Sequence, residues 1–362
     1  MKIVAFHTYN DYSGSPKVLS MVLKGLLNKG YQIDLLTSCR GGILDELEGM
    51  SNFKVFRHFY KFYPNPVVTL LLYIYTQLYG FFFAFRYISQ KNVVFYLNTL
   101  MPFGAAIAGK ILGKKVVYHY HENANVKGVF YKTLASLMQK LADEIICVSA
   151  YQRSFIERNH DICVIPNALP LSFENKCKQI SMKKRNRDSI LMLSSLKVYK
   201  GVLEFAELAK CFPQYHFVLV INDTNENIKS FINKYKLTQS SNLIIWDRQT
   251  NVLPFYERSS LVVNLSKKDL FIETFGLTAL EAMASGLPVI VPTVGGISEM
   301  VIDGYNGYKV DAEDFEKLKN AINLIFKDEE TYEKMRTNAR NFAMNYSNCK
   351  MIDKIENILI NE

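Results

Sequence analysis

Two successive series of short apolar runs, each run followed by a segment with helical spacing, leave this chain few folds to adopt. Strand-then-helix alternation builds parallel sheets covered by helices. The first run is 2–7 (KIVAFH). A loop over 8–15 follows, and Val18, Leu19, Val22, Leu23, Leu26 and Leu27 then recur at the helical period, with Gly30 closing the helix. The pattern predicts further strands at 33–37, 93–97, 115–119, 144–148 and 162–165, with helices between them that include 103–112 and 131–141. After Pro166-Asn167 the alternation lapses. Residues 171–188 are polar and run into Lys183-Lys184-Arg185-Asn186-Arg187, which reads as an interdomain linker. A second series starts at 190–193 and continues through 217–221, 243–246, 261–265 and 288–291. The expected fold class is therefore α/β, with two Rossmann-like domains and a cleft between them. They occupy 1–170 and 189–345, joined by the linker 171–188, and 346–362 is helical in pattern. A length of 362 residues fits two domains. Ligands of such sheets bind beyond the carboxyl ends of the strands.

Composition narrows the function classes. No segment of 20–50 residues repeats, which excludes solenoids and propellers. The six cysteines (39, 147, 163, 177, 211 and 349) form no CxxC pair, so neither a zinc ribbon nor a disulfide framework is expected. Reduced thiols fit a cytoplasmic protein. Net charge is +9, and it is unevenly placed: residues 1–170 hold 18 Lys and Arg against 10 Asp and Glu. Such a surface attracts anionic partners (lipid head groups, nucleic acid or phosphorylated substrates) or simply keeps the protein soluble; an anionic membrane face is the partner expected here, and no nucleic acid. Residues 67–85 (VVTLLLYIYTQLYGFFFAF) carry no charge. They are read as a buried core helix, a peripheral membrane contact with aromatic rings at the interface, or a single span.

Phosphate-binding signatures are mostly missing. GxGxxG does not follow the first strand, and Gly104 to Lys110 approaches a Walker A loop but continues with Ile111, which cannot ligate magnesium. Two other loops can receive a phosphate. Ser13-Gly14-Ser15 opens the first helix, where free N–H groups and the positive helix end favour an anion. Ser194-Ser195-Leu196-Lys197-Val198-Tyr199-Lys200-Gly201 follows the first strand of the second series and precedes a helix, with lysine as the point charge. The two loops occupy equivalent strand ends in the two halves.

The richest segment runs from Ile272 to Pro288 (IETFGLTALEAMASGLP). Glu273 lies in a loop, Glu281 lies in the helix that begins near Leu277, and Gly286 stops that helix. Eight residues at about 100° each leave the carboxylates about 80° apart on an ideal helix. Both can border one elongated ligand at different depths. A carboxylate accepts two hydrogen bonds from a vicinal diol such as ribose. The N–H groups of Phe275 and Gly276 can reach sugar hydroxyls or phosphate oxygens. Spacing alone favours reading Glu281 as an ordinary exposed helical residue.

This segment resembles the E-x7-E signature of the retaining glycosyltransferases of family 4, whose GT-B fold sets two Rossmann-like domains across a cleft. The resemblance extends through Thr274-Phe275-Gly276-Leu277, Glu281-Ala282-Met283-Ala284, Gly286-Leu287-Pro288-Val289, Gly295-Gly296-Ile297-Ser298-Glu299 and Asp303-Gly304-Tyr305-Asn306-Gly307. Pro166-Asn167-Ala168 is similar to the family's domain-joining turn, Lys200-Gly201 to its phosphate loop and Gly14 to its first glycine loop.

The resemblance implies transfer of a hexose from a UDP- or GDP-sugar to an acceptor hydroxyl with retention, in surface polysaccharide or glycolipid synthesis. The acceptor would be a glycan or a lipid-linked precursor. Catalysis would be metal-independent, with no permanently bound cofactor. It gives Glu281 the nucleotide ribose, Glu273 the transferred sugar, and Lys200 the leaving diphosphate. Ser194-Ser195-Leu196 stands where the family carries Gly-Arg-Leu, so Lys197 is the candidate replacement for the missing Arg, with Ser195 beside it. His121, at the end of Val116-Val117-Tyr118-His119-Tyr120-His121, takes the place of the active-site histidine, with His119 as its rival. The C-terminal helix would cross back to the first domain. The enzyme would be cytoplasmic, on the inner face of the membrane. Rival readings are a nucleotide-sugar epimerase or glycan phosphorylase of the same architecture, and a non-catalytic basic membrane-binding protein.

Overall fold

A computed structural model describes residues 1–124, 126–157, 161–180, 182, 187–237 and 240–361. The chain forms two compact units, one of Met1–Asn167 with Cys349–Glu362 and the other of Ala168–Asn348.

The first unit is built on a seven-stranded parallel sheet. Its strands are β1 (Lys2–Phe6), β2 (Gln32–Thr37), β3 (Phe53–Arg57), β4 (Val93–Asn98), β5 (Lys115–Tyr120), β6 (Glu144–Cys147) and β7 (Ile162–Val164). The order is β3-β2-β1-β4-β5-β6-β7. Central strands covered on both faces read as unbroken apolar runs, and Ile3, Val4, Ala5 and Phe6 are all buried. The exception proves instructive: Asp34 of β2 is buried, and it is held by Lys2 Nζ at 3.1 Å and Tyr87 Oη at 2.7 Å. The helix Gly14–Asn28 buries the six apolar residues that the helical period picked out. It ends at Gly30, whose φ of +89° suits a residue without Cβ. Strand order reverses between β1 and β4, the position where a doubly wound sheet opens a crevice.

The charge-free run forms the helix Pro66–Ala84, started by Asn65, whose side chain accepts from Val67 N at 2.9 Å. It packs against the helix Phe103–Ile111 and is only partly buried.

The helix Asn348–Ile360 groups with the first unit from Cys349 onward. Lys29 Nζ pairs with Asp353 at 2.7 Å and Glu356 at 2.6 Å, and Tyr31 Oη donates to Glu356 at 2.8 Å. Lys115 Nζ donates to the Ile358 carbonyl at 2.6 Å. Gly25 lets this helix approach closely, since a Cβ there would lie 2.7 Å from the Ile352 side chain.

The second unit carries a six-stranded parallel sheet: β8 (Ser189–Ser194), β9 (His216–Ile221), β10 (Leu243–Trp246), β11 (Leu261–Val263), β12 (Val289–Val291) and β13 (Gly307–Lys309). The order is β10-β9-β8-β11-β12-β13, with the reversal between β8 and β11. The stretch read as a linker is corrected at its start. Residues Leu171–Gln179 form a helix of the second unit, because Phe173 packs its ring 6.1 Å from Tyr256 and Cys177 is buried against Ser285. Residues 183–186 of the basic run lie outside the described residues.

Candidate active site

In the second unit, the site is assembled at the switch point. The carboxyl end of β8 leads into the loop Ser195–Lys200, and the carboxyl end of β11 leads into Asn264-Leu265-Ser266. Gly201 locks the two loops together. Its φ is +78°, and a Cβ there would lie 2.2 Å from the Leu265 carbonyl oxygen. Only glycine allows that approach, and it fixes Lys200 beside the β11 loop.

Lys200 Nζ donates to Glu273 Oε1 at 2.5 Å. The same oxygen accepts from Ser266 Oγ at 3.1 Å and Asn264 Nδ2 at 3.3 Å. Both charged side chains retain 17% exposure. Burial would raise the Glu273 pKa, but the Lys200 charge and the three hydrogen bonds outweigh it and hold the carboxyl below its usual range. Lys200 also lies 3.7 Å from the centre of the Phe271 ring, which in turn stacks on Tyr199 at 5.1 Å. The main chain of Glu273 is fixed as well: its carbonyl accepts from Gly296 N at 2.9 Å. Gly295, at φ +102°, passes so close that a Cβ would lie 2.5 Å from that carbonyl oxygen.

Phe275 and Gly276 then turn the chain into the helix Leu277–Ala284. Gly276 has φ +95°, and a Cβ there would lie 2.5 Å from Ile297. Phe275 is buried, with its ring 5.8 Å from that of Tyr346. The helix directs its positive end toward the loop that holds Glu273.

Glu281 is not an exposed helical residue: it is 3% exposed and accepts from Tyr256 Oη at 2.7 Å. Burial and then the Glu281 charge push the Tyr256 phenol far above its ordinary range, so it stays a donor. Lys197 is exposed, and its side chain has no hydrogen bond or ion pair among the described residues. The Ser195 carbonyl accepts from Lys197 N at 2.8 Å.

A second polar cluster gathers in the first unit, at the carboxyl ends of β1, β4 and β5. Asn98, fully buried at the end of β4, is its centre. Asn98 Oδ1 lies 2.9 Å from His121 Nε2, and Asn98 Nδ2 lies 3.0 Å from His7 Nδ1 and 3.2 Å from the Ser15 carbonyl. This amide orientation makes His121 Nε2 the protonated nitrogen. Burial, then the neighbouring His119 and His7, hold His121 well below 6.5, so the ring is neutral near pH 7. His119 is the more deeply placed of the two. It is fully buried, bonds Tyr96 Oη at 2.5 Å, and burial lowers its pKa to about 3. His121 is therefore the histidine nearer the surface. Next to it Glu122 is buried, which raises its pKa, and it accepts from Leu100 N at 3.2 Å. Thr99, with φ +79°, is a β-branched residue in the left-handed region at this same point. Gly14 opens the helix Gly14–Asn28 with nothing within 4 Å of where a Cβ would be, and Asp11 holds the preceding Ser13 through its N–H at 2.9 Å.

The structure thus brings Lys200, Glu273 and the Gly276 helix start together, seats Glu281 on Tyr256, and places Gly14 and His121 in the other unit. Sequence reasoning missed Asn264 and Ser266, although the strand-end rule points at them, and Asn98 for the same reason. It also missed Tyr256, for which no local signal exists. Among the described residues, no group of three or more His, Cys, Asp and Glu is arranged to hold a metal ion.

Two family models cover nearly the whole chain. Residues 12–173 match "Glycosyltransferase Family 4", and residues 174–342 match "Glycosyl transferases group 1". The chain belongs to glycosyltransferase family 4. This glycosyltransferase is 27% identical over 226 residues to an uncharacterized glycosyltransferase of Methanocaldococcus jannaschii, a match spanning 62% of this chain and 60% of the relative. It is 27% identical over 290 residues to the Escherichia coli UDP-Gal:alpha-D-GlcNAc-diphosphoundecaprenol alpha-1,3-galactosyltransferase, spanning 70% and 71% of the two chains. Its fold is similar to that of Anabaena HepE in complex with UDP and glucose, with a TM-score of 0.77, 20% identity and all of both chains covered. The two parallel-sheet Rossmann-like units of this glycosyltransferase are those of the GT-B fold.

Proposed function

We propose that this glycosyltransferase moves a hexose from a UDP- or GDP-sugar to an acceptor hydroxyl with retention of configuration. One observation carries the reading: Lys200 and Glu273 are paired at the switch point of the second sheet, where β8 and β11 end. An arriving diphosphate competes with Glu273 for the Lys200 ammonium. Once Lys200 turns to the phosphates, Glu273 keeps its Ser266 and Asn264 donors and has acceptor capacity for sugar hydroxyls. Lys200 and the N–H groups at the start of the helix Leu277–Ala284 then meet the charge that develops on the leaving diphosphate. Preorganised donors of this kind are worth roughly 3–4 kcal/mol each. Glu281, oriented by Tyr256, takes the ribose diol. His121, neutral and fixed by Asn98, is the candidate catalytic group of the first unit. In this reading the residues that meet the diphosphate do so without a metal ion.

A lipid-linked or glycan acceptor fits the E. coli relative, whose name specifies a diphosphoundecaprenol acceptor. A UDP-sugar donor fits the same name and the UDP-bound HepE structure. The test is a thermal-shift and donor-hydrolysis screen across UDP- and GDP-sugars. One nucleotide sugar should raise the melting temperature and be turned over slowly in the absence of acceptor. Glu273→Gln should abolish turnover and leave the nucleoside diphosphate shift. Glu281→Gln should weaken that shift. Unchanged turnover in both variants would refute the assignment.

A further inference from the structure

The helix Pro66–Ala84 is built inside out. Its buried stripe holds Tyr73, Thr76, Gln77, Gly80, Phe83 and Ala84. The roughly opposite stripe is exposed and apolar: Val67, Leu70, Leu71, Ile74, Leu78 and Phe82, with Leu71 at 61% and Phe82 at 68% exposure. Polar residues point inward here for a local reason. Gln77 Oε1 accepts from Gly104 N at 3.1 Å, which satisfies the start of the helix Phe103–Ile111. Its Nε2 donates to Thr76 Oγ1 at 3.2 Å, and Thr76 Oγ1 donates to the Tyr73 carbonyl at 2.7 Å. Gly104 permits the contact, since a Cβ there would lie 2.1 Å from the Gln77 carbonyl oxygen. The inward side is thus a finished helix–helix interface, and the apolar side has no partner among the described residues.

The apolar surface continues past the helix. Tyr63 N donates to Thr69 Oγ1 at 3.0 Å, which ties the loop carrying exposed Phe59, Phe62 and Tyr63 to the first turn. The Phe130 ring lies 5.7 Å from that of Tyr73, which brings in the start of the helix Val129–Leu141, where Val129 is 80% exposed. Exposed Lys61, Lys127 and Lys132 lie in these same segments, and exposed Arg86 follows the other end of the helix. The sequence from Gly49 to His121 contains eight Lys and Arg and no Asp or Glu. An apolar face larger than scattered surface residues produce, rimmed by one sign of charge, needs a partner that is apolar inside and anionic at its edge.

We propose that this face docks on an anionic lipid bilayer, with the helix lying in the plane of the interface and the lysines among the headgroups. The helix is long and apolar enough to cross a membrane, but crossing would expose Thr76 and Gln77 and strip the cap from Phe103–Ile111.

Vesicle sedimentation with the full chain tests this. Wild-type protein should bind vesicles of phosphatidylcholine mixed with phosphatidylglycerol more tightly than phosphatidylcholine alone. Binding should weaken in about 1 M salt, where the Debye length is about 3 Å. Leu71→Asp/Leu78→Asp should weaken binding on the order of a hundredfold. Lys61→Glu/Lys132→Glu should weaken it by roughly tenfold or more. Both variants should keep the wild-type melting temperature and donor hydrolysis, which separates this proposal from the reading of the catalytic site. The proposal falls if wild type stays in solution with anionic vesicles at low salt, or if the Asp variant binds as wild type does. It also falls if alkaline carbonate fails to release the protein from membranes, which marks a span. Concentration-dependent dimers abolished by the Asp variant, with no lipid binding, would assign the face to a second copy instead.

Discussion

Replacing Lys200 with Met keeps most of the side chain's length and removes its charge, leaving the largely buried Glu273 with only neutral donors. Stranding one member of a buried ion pair costs about 3–5 kcal/mol in comparable sites. Here both side chains keep 17% exposure, and Ser266 and Asn264 still donate. The expected loss at pH 7 is therefore about 2–3 kcal/mol. At about 2–4 °C per kcal/mol for a unit of this size, the melting temperature should fall by about 4–12 °C. The pH dependence gives the sharper test. In wild type, Glu273 sits below its ordinary value of 4.5, so its stabilising contribution is complete above pH 4.5 and fades as the pH falls through the folded-state pKa. In Lys200→Met, burial dominates and the pKa rises above 4.5. The group then destabilises the fold at neutral pH, and that penalty vanishes on acidification. The gap between the two proteins should be widest near pH 7–8 and close toward pH 4. Scanning calorimetry across that range measures it, and Lys200→Met/Glu273→Gln should recover much of the loss. A gap of constant size, together with additive single variants, would show that the pair does not organise this loop. In turnover, the same variant should lose about 10²–10³ in kcat.

Tyr256→Phe leaves Glu281 without its phenol donor and should cost about 1–3 kcal/mol, along with a weaker calorimetric signal for nucleoside diphosphate. Asn98→Asp puts a carboxylate beside His121, which favours the imidazolium. The acidic limb of the kcat/KM profile should move to higher pH, whereas Asn98→Ala should lower kcat without that move. Gly295→Ala combines a φ of +102° with a clash on the Glu273 carbonyl, so both stability and donor turnover should drop in paired melting and activity assays. Thr99→Gly removes the left-handed strain but also the Oγ1 that accepts from Met101 N at 3.3 Å, so the stability of the first unit in denaturant titration should change by less than about 1 kcal/mol.

Much of this architecture is written locally. Nearly continuous apolar runs bounded by turns marked β1, β2 and the central strands of both sheets, because strands buried on both faces have no polar alternation to confuse the reading. Of the four edge strands, β7 and β10 were legible but β3 and β13 escaped. Residues Phe53–Arg57 alternate with Lys54 and Arg57 and are only half-buried, and Gly307–Lys309 is three residues long. Neither leaves a pattern that stands out from a loop. Helix Leu171–Gln179 was missed because its composition is polar and its burial rests on Cys177. At the candidate site, Glu273, Glu281, Lys200 and the glycines could be named because loop, helix and strand ends fall at fixed sequence offsets. Tyr256 and Asn98 could not, since what matters about each is a partner that the chain brings near only on folding: Glu281 is 25 residues from Tyr256, and His121 is 23 from Asn98.

The return of Cys349–Glu362 to the first unit has a consequence for synthesis. Translation delivers the strands of the first sheet early but withholds the helix that covers Gly25, Lys29 and Lys115 until the whole second unit has been made. The intervening unit has all its residues before the earlier one does, so the N-terminal sheet must wait on the ribosome with an apolar flank uncovered. A fragment cut after Asn167 would carry that same wound permanently. Expressing the first unit alone therefore calls for a permuted gene in which 349–361 is spliced back onto it through a short linker.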